Sequence, residues 1–462
     1  MSERCAFLAL ALLACCILHF GDAAIKAIVD DVNAAVAPND RHNRSARRSS
    51  THTFREKAVF TAHPDFSETG AALSTQYHDV VFVVKQNNVD ELKQLLLEVS
   101  DPFDAKYGKH MTSDEIAAIT ANPKSHKVIL EYVKSIGAVI VSESQYEDHV
   151  TARAPLGVWE KTFDTKFQIY SHNPNSRSDM GSLNGEKNLE FVRSKEYSIP
   201  SFLDEHVSFV LNTVQIPMAN SHAIRPKEFD VPPDRLALPN APILGKGGII
   251  NGFISPGRIV QTYNIDINSG DVRATQLVFE TKDEYYSPRD LTLFQRFFEL
   301  PLQSVNQLND PRAQSPKYCE RTGNCQEGNL DLQWIMGIGK SPTKFGYTNL
   351  EMGFYLKELF DSGKPPLVIS ISYGIEEKYV LRLSQTTFFE LQAVRLGLMG
   401  VTILVAAGDN GVTSTFSKAN ATNCGYSPSY PATCPYVTAV GATQVSGIKL
   451  LPLSYRWMNN AG

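Results

Sequence analysis

Three short apolar runs, Pro366–Ser372, Val401–Ala407 and Tyr436–Val440, constrain the fold of this chain more than any other feature. Each is rich in β-branched residues and bounded by turn formers, the pattern of a strand covered on both faces. Between the first two, Leu383 to Leu398 has the composition of a helix, with Gly400 as its stop. Strand, helix and strand in that order, with continuous apolar strands, predict an α/β domain over 254–462 built on a parallel sheet with right-handed crossovers.

The front half reads differently. His78–Lys85 is a strand with a Val-Val-Phe-Val-Val centre. Asn88 with Glu91 has the spacing of a capping box, and Leu92, Leu95, Leu96 and Val99 share one helical face. Thr112 with Glu115 repeats the start signal, and a further helix over Ser125–Ile136 stops at Gly137, where left-handed backbone suits glycine. Short strands follow at Ala138–Val141, His149–Arg153 and Lys166–Tyr170, so 70–215 is expected to be a compact α+β domain. The polar, Arg-rich segment 24–69 is expected to be a flexible arm. From 216 to 253, prolines at 217, 226, 232, 233, 239 and 242 with Gly245, Gly247 and Gly248 predict an extended linker open to proteolysis.

Residues 1–23 have the form of a secretory signal: Arg4, an apolar run from Ala6 to Phe20, and Gly21-Asp22-Ala23 as a small-residue cleavage site. That run is too short to span a bilayer. Beyond it remain Cys319, Cys325, Cys424 and Cys434, an even number that suggests two disulfides in an oxidising compartment. Proximity favours Cys319–Cys325 and Cys424–Cys434, and zinc is the weaker alternative because neither pair is closely spaced and no histidine is near. Asn43 and Asn420 stand in glycosylation sequons. With 44 basic and 49 acidic residues the chain has no basic stripe, which argues against a nucleic-acid partner. No membrane partner is expected either.

All 11 histidines lie between His19 and His222, so the α/β half contains none. That distribution argues against a nucleophile that depends on imidazole for its activation there. The carboxylates of Glu327 and Asp331, four residues apart in an apolar helix-forming segment, are the candidates for a base and its partner. Burial and mutual repulsion would make such a pair share a proton; a solvated acidic face is the bland alternative. Asp409 follows the Val401–Ala407 run at its carboxyl end, where open parallel sheets place their sites, although Gly408-Asp409-Asn410-Gly411 is also good turn chemistry.

Pro-Leu-Val-Ile-Ser-Ile-Ser-Tyr-Gly at 366–374, Ala-Ala-Gly-Asp-Asn-Gly-Val at 406–412 and Tyr-Pro-Ala-Thr-Cys-Pro-Tyr-Val-Thr-Ala-Val-Gly-Ala-Thr at 430–443, with the Glu327–Asp331 pair, resemble the sedolisin, or serine-carboxyl peptidase, family. Val99-Ser100-Asp101-Pro102 and Tyr107-Gly108-Lys109 resemble its propeptide, and the likeness is to tripeptidyl-peptidase I-like zymogens. The resemblance implies a subtilisin-like parallel-sheet catalytic domain, incomplete here, behind an α+β propeptide. It implies Glu327 as general base, Asp331 as its orienting acid and Asp409 as the donor to the oxyanion. It also implies peptide hydrolysis in acid, a propeptide that inhibits and escorts, and a secreted, lysosomal or vacuolar location. The family's serine sits in a Gly-Thr-Ser element that this sequence does not contain, and its calcium ligands would fall beyond Gly462. The chain as given is thus expected to be inactive, and the alternative is a non-catalytic relative that binds or inhibits a full-length peptidase.

Overall fold

The computed structural model describes residues 51–59, 66–172, 190–215, 255–265, 270–281, 285–307, 319, 325–348, 352–408, 427–441, 443–446 and 449–452. Met1–Thr51 and His52–Gly462 are separate units, and the architecture below is that of the second. The signal at 1–23 and the linker at 216–253 lie outside the described residues.

The front half contains β1 (His52–Lys57), β2 (Phe66–Ala71), β3 (Tyr77–Val84), α1 (Val89–Ser100), α2 (Ser113–Thr120) and α3 (Pro123–Ser135). There follow β4 (Val139–Glu143), β5 (His149–Pro155), α4 (Leu156–Thr162), β6 (Phe167–His172), β7 (Glu190–Ser194), β8 (Glu196–Pro200) and β9 (Val207–Leu211). Its main sheet is antiparallel in the order β4-β5-β3-β9. The Val-Val-Phe-Val-Val run of β3 is buried on both faces because strand alternation sends its residues two ways. Val80, Phe82 and Val84 join Leu92, Ile129, Val133 and Trp159 in the main core. Val81 and Val83, with Phe209 and Leu211, turn instead to Phe354 and Phe388 of the second half.

The capping box at Thr112 forms, Glu115 N–H donating to Thr112 Oγ1 and Thr112 N–H to the Glu115 carboxylate. The one expected at Asn88 does not. Asn88 has φ 49°, and its amide donates to the Ile119 carbonyl rather than capping α1. The arm expected over 24–69 is also corrected where it is described. β1 pairs antiparallel with β8, and β2 with β6, so both segments are sheet members rather than free chain.

The second half contains α5 (Pro256–Thr262), β10 (Gln276–Thr281), α6 (Pro288–Phe297), β11 (Asn306–Gln307), α7 (Gln326–Gly339), β12 (Thr343–Thr348) and α8 (Met352–Asp361). It continues with β13 (Val368–Ile371), β14 (Ile375–Glu376), α9 (Thr387–Leu398), β15 (Thr402–Ala406), β16 (Ser429–Tyr430) and β17 (Thr438–Val440). The expected parallel sheet is present, six strands in the order β11-β12-β10-β13-β15-β17 with every pairing parallel. Helices cover both faces. Leu277 and Phe279 of β10 pack with residues of α8 and α9, whereas Val278 between them packs with Leu291 of α6 and with Leu332 and Met336 of α7. One expectation fails at the sheet edge: Thr438, Ala439 and Val440 are exposed rather than covered on both faces, and among the described residues β17 pairs with β15 alone.

The two halves meet on α8 and α9. Phe209 lies edge-on to Phe388, and Phe354 packs against the same ring. Met111 N–H donates to the Leu398 carbonyl, and Glu56 accepts from Ser384 N–H. At the centre Asp148, Lys357 and Arg395 form a buried ionic cluster, at 4%, 1% and 1% exposure. Asp148 lies 2.7 Å from Arg395 and 3.1 Å from Lys357, whose ammonium also meets Asp361 at 2.5 Å.

Candidate active site

Helix α7 begins at Cys325, which is joined to Cys319 by the expected disulfide. The first helical turn carries Glu327, where the helix dipole favours a negative charge. Gly328 is required by a close approach: a Cβ there would stand 2.5 Å from the Tyr285 carbonyl oxygen. Asn329 fastens the same turn, accepting from Ser287 N–H at 2.8 Å. Asp331 follows one turn after Glu327, and both residues are half-buried.

The Asp331 carboxyl points inward. Ser372, just past the end of β13, donates its hydroxyl to Asp331 Oδ2 at 2.6 Å. Burial pushes the Asp331 carboxyl up to about 6, and the Ser372 hydrogen bond opposes that rise only in part. The group therefore holds its proton in mildly acidic solution. Ser370 and Ser372 alternate with the core residues Ile369 and Ile371, which is what turns Ser372 away from the α8 and α9 side.

A third carboxylate was missed by the sequence reading. Glu280, near the end of β10, is fully buried, and the Tyr373 phenol donates to its Oε2. It alternates with Phe279 and so shares the α7 side of the sheet with Val278. The available signal was a charged residue in the run Leu277-Val278-Phe279-Glu280, at the carboxyl end of a parallel strand. Asp409 lies outside the described residues, as do Cys424, Asn43 and Asn420. The expected Cys424–Cys434 bridge is corrected. Cys434 is a free thiol within the main hydrophobic core, and burial pushes it up to about 12. No three His, Cys, Asp or Glu side chains converge to hold a metal among the described residues.

The described residues thus combine an α+β front half with a parallel sheet whose carboxylates gather on one helix-covered side. Residues 64–216 match the family model of the pro-kumamolisin activation domain. The chain is 27% identical over 423 residues to tripeptidyl-peptidase sed1 of Aspergillus fumigatus, covering 78% of this chain and 63% of that protein. It is 25% identical over 411 residues to tripeptidyl-peptidase 1 of Rattus norvegicus, covering 85% of this chain and 66% of the relative. Among solved structures, Pseudomonas sedolisin, a serine-carboxyl proteinase, is similar at 18% identity and a TM-score of 0.34, covering 44% of this chain and 55% of that one. The chain is thus similar to tripeptidyl-peptidases of the sedolisin family, and its front half carries the match to an activation domain. It spans about three-fifths of the length of the curated relatives it matches.

Proposed function

We propose that this chain belongs to an acid-acting serine-carboxyl peptidase made as a zymogen, with Glu327 as general base, Asp331 as its orienting acid and Asp409 as the oxyanion donor. The observation that carries this reading is the Asp331 carboxyl, protonated up to about pH 6 and tied to Ser372, one helical turn from Glu327. A protonated neighbour supports an ionised base in acid, where a lone exposed carboxylate would lose its charge.

In the proposed reaction a serine hydroxyl gives its proton to Glu327 as its oxygen bonds to the peptide carbonyl carbon. Asp409, protonated, donates to the resulting oxyanion. Collapse breaks the carbon–nitrogen bond, the amine leaves with the proton from Glu327, and water repeats the cycle on the acyl-enzyme. The names of the relatives favour release of tripeptides over internal cleavage. The match to an activation domain supports the front half as an intramolecular inhibitor, and its contacts on α8 and α9 support it as an escort. The signal-like residues 1–23 favour the secretory pathway, and no helix among the described residues is long and apolar enough to cross a membrane.

The match of residues 64–216 to an activation domain also fits a second reading, a non-catalytic relative that binds a full-length peptidase. Hydrolysis of peptides with free amino termini, followed across acidic pH, separates the two. Met1–Gly462 should be inactive. A form of the protein that includes a Gly-Thr-Ser serine should release tripeptides and lose most turnover with Glu327→Gln or Asp331→Asn. Asp409→Asn, which still donates, should be milder than Asp409→Ala. Near-normal turnover of Glu327→Gln would end the carboxylate-base reading.

A further inference from the structure

The front half holds an open depression, ringed by charged and polar side chains, that no part of the proposed reaction uses. It measures about 650 Å³ and is lined by Tyr77, His78, Asp79, Arg153, Arg193 and Asn212. Its two guanidinium groups differ in their partners. Arg153 is neutralised by Asp79, its Nε and Nη2 donating to the two carboxylate oxygens at 2.6 and 2.8 Å.

Arg193 has only neutral acceptors. Nε donates to the Gln215 carbonyl at 2.7 Å, Nη1 to the Val192 carbonyl at 2.8 Å, and Nη2 to Asn212 Oδ1 at 3.2 Å. No carboxylate pairs with it among the described residues, and nothing offsets the burial that pulls its guanidinium down to about 10. A guanidinium carries five N–H donors, so two remain for a ligand. A sunken cation held only by neutral groups is costly unless a counter-charge arrives.

We propose that this depression is a binding site for a carboxylate, with Arg193 as its counter-charge. The charge balance selects a monoanion. Arg153 and Asp79 cancel, leaving Arg193 as the one uncompensated charge among the lining residues, and the Asp79 carboxylate in the wall opposes a dianion such as phosphate. The shared chemistry is a planar carboxylate, either a free small acid or the carboxylate of a peptide.

His78 reports on occupancy. Its Nε2 bonds the Asn212 carbonyl at 2.8 Å, and its ring packs beside Phe167. Burial first and Arg193 second bring it down to about 4, against the opposing effects of the Asn212 carbonyl and Asp79. An anion beside Arg193 favours the imidazolium, so occupancy raises the His78 midpoint, and protonation of His78 in turn tightens binding.

The test follows the His78 ring proton by NMR through a pH titration of the full chain, at constant ionic strength set with sodium chloride. Acetate is one probe. A tripeptide with a free carboxyl terminus and an acetylated amino terminus is another, and its acetylated, carboxyl-amidated form is the control. Acetate, the tripeptide acid or both should raise the His78 midpoint saturably, and their relative affinity identifies the source; the peptide blocked at both ends should do nothing. Arg193→Gln should weaken that response by about tenfold or more, and Arg193→Lys, which keeps the charge, should retain part of it. A melting curve checks that each variant is folded, and Arg193→Lys keeps the test valid if Arg193→Gln is not. No saturable shift with either acid, or an equal shift in the folded Arg193 variants, overturns the proposal.

Discussion

Replacing Asp148 by Asn should weaken the junction between the two halves more than any other single polar change there. Asp148 holds Arg395 at 2.7 Å and Lys357 at 3.1 Å. With an effective dielectric of about 20, those contacts correspond to gross attractions of about 6 and about 5 kcal/mol. Desolvation of the three ions offsets most of this, so the intact cluster contributes little net stability. Removing one partner is another matter. The amide introduced by Asp148→Asn would keep the shape of the side chain but leave two buried cations with Asp361 as their remaining carboxylate, at a cost of about 3–5 kcal/mol. Urea denaturation of the full chain measures the total, and hydrogen exchange of the Met111 amide, which donates to the Leu398 carbonyl, locates it at the junction. The triple change Asp148→Leu, Lys357→Met and Arg395→Met should recover much of the loss by removing the charges together. A loss below about 1 kcal/mol for Asp148→Asn, with unchanged exchange at Met111, would refute the reasoning.

The same cluster sets a pH response. Asp148 is buried, which alone would raise its carboxyl, but Arg395, the His149 hydrogen bond and Lys357 outweigh that and hold it well below the usual 3.8. Its contribution is therefore present above about pH 4 and lost as pH falls further. Asp361 and Glu56, both raised chiefly by burial, act with the opposite sign: ionised they cost stability, and protonation relieves it. The melting temperature should hold or rise from about pH 7 to about pH 5 and then fall steeply below about pH 4. In the candidate site, Ser372→Ala removes the hydrogen bond that restrains the Asp331 carboxyl, so its midpoint, followed by carbon NMR, should climb from about 6 by about one pH unit. A fall instead would show that Ser372 does not stabilise the ionised form. Gly328→Ala sets helix propensity, worth about 1 kcal/mol in favour of Ala, against a methyl group 2.5 Å from the Tyr285 carbonyl. Overpacking of about 1–3 kcal/mol should win, lowering the urea midpoint.

How much of this was legible in the sequence follows the range over which each interaction acts. The parallel sheet and the helices α1 and α3 could be read because apolar periodicity is local, and the Thr112–Glu115 box because its two members are three residues apart. Asn88 and Glu91 have the same spacing, but a tertiary bond from Asn88 to Ile119 overrides it. β1 was misread as arm because Arg55, Glu56 and Lys57 hide its alternation, and its partner strand begins at Glu196. The Glu327–Asp331 pair was visible as a helical spacing. Ser372 and Glu280 were not, since only the sheet brings their strands together. Asp148 gave no signal either, its partner Arg395 lying 247 residues away.

β3 belongs to two cores at once, and that has a consequence for what happens after the halves part. Val81, Val83, Phe209 and Leu211 on one side, and Phe354 and Phe388 on the other, bury one another across the junction. Separation would wet both surfaces, and a freed front half would carry a greasy sheet face with no cover of its own. Such a fragment is prone to clump or be digested before it can redock. Parting would then work as a ratchet, turning in one direction.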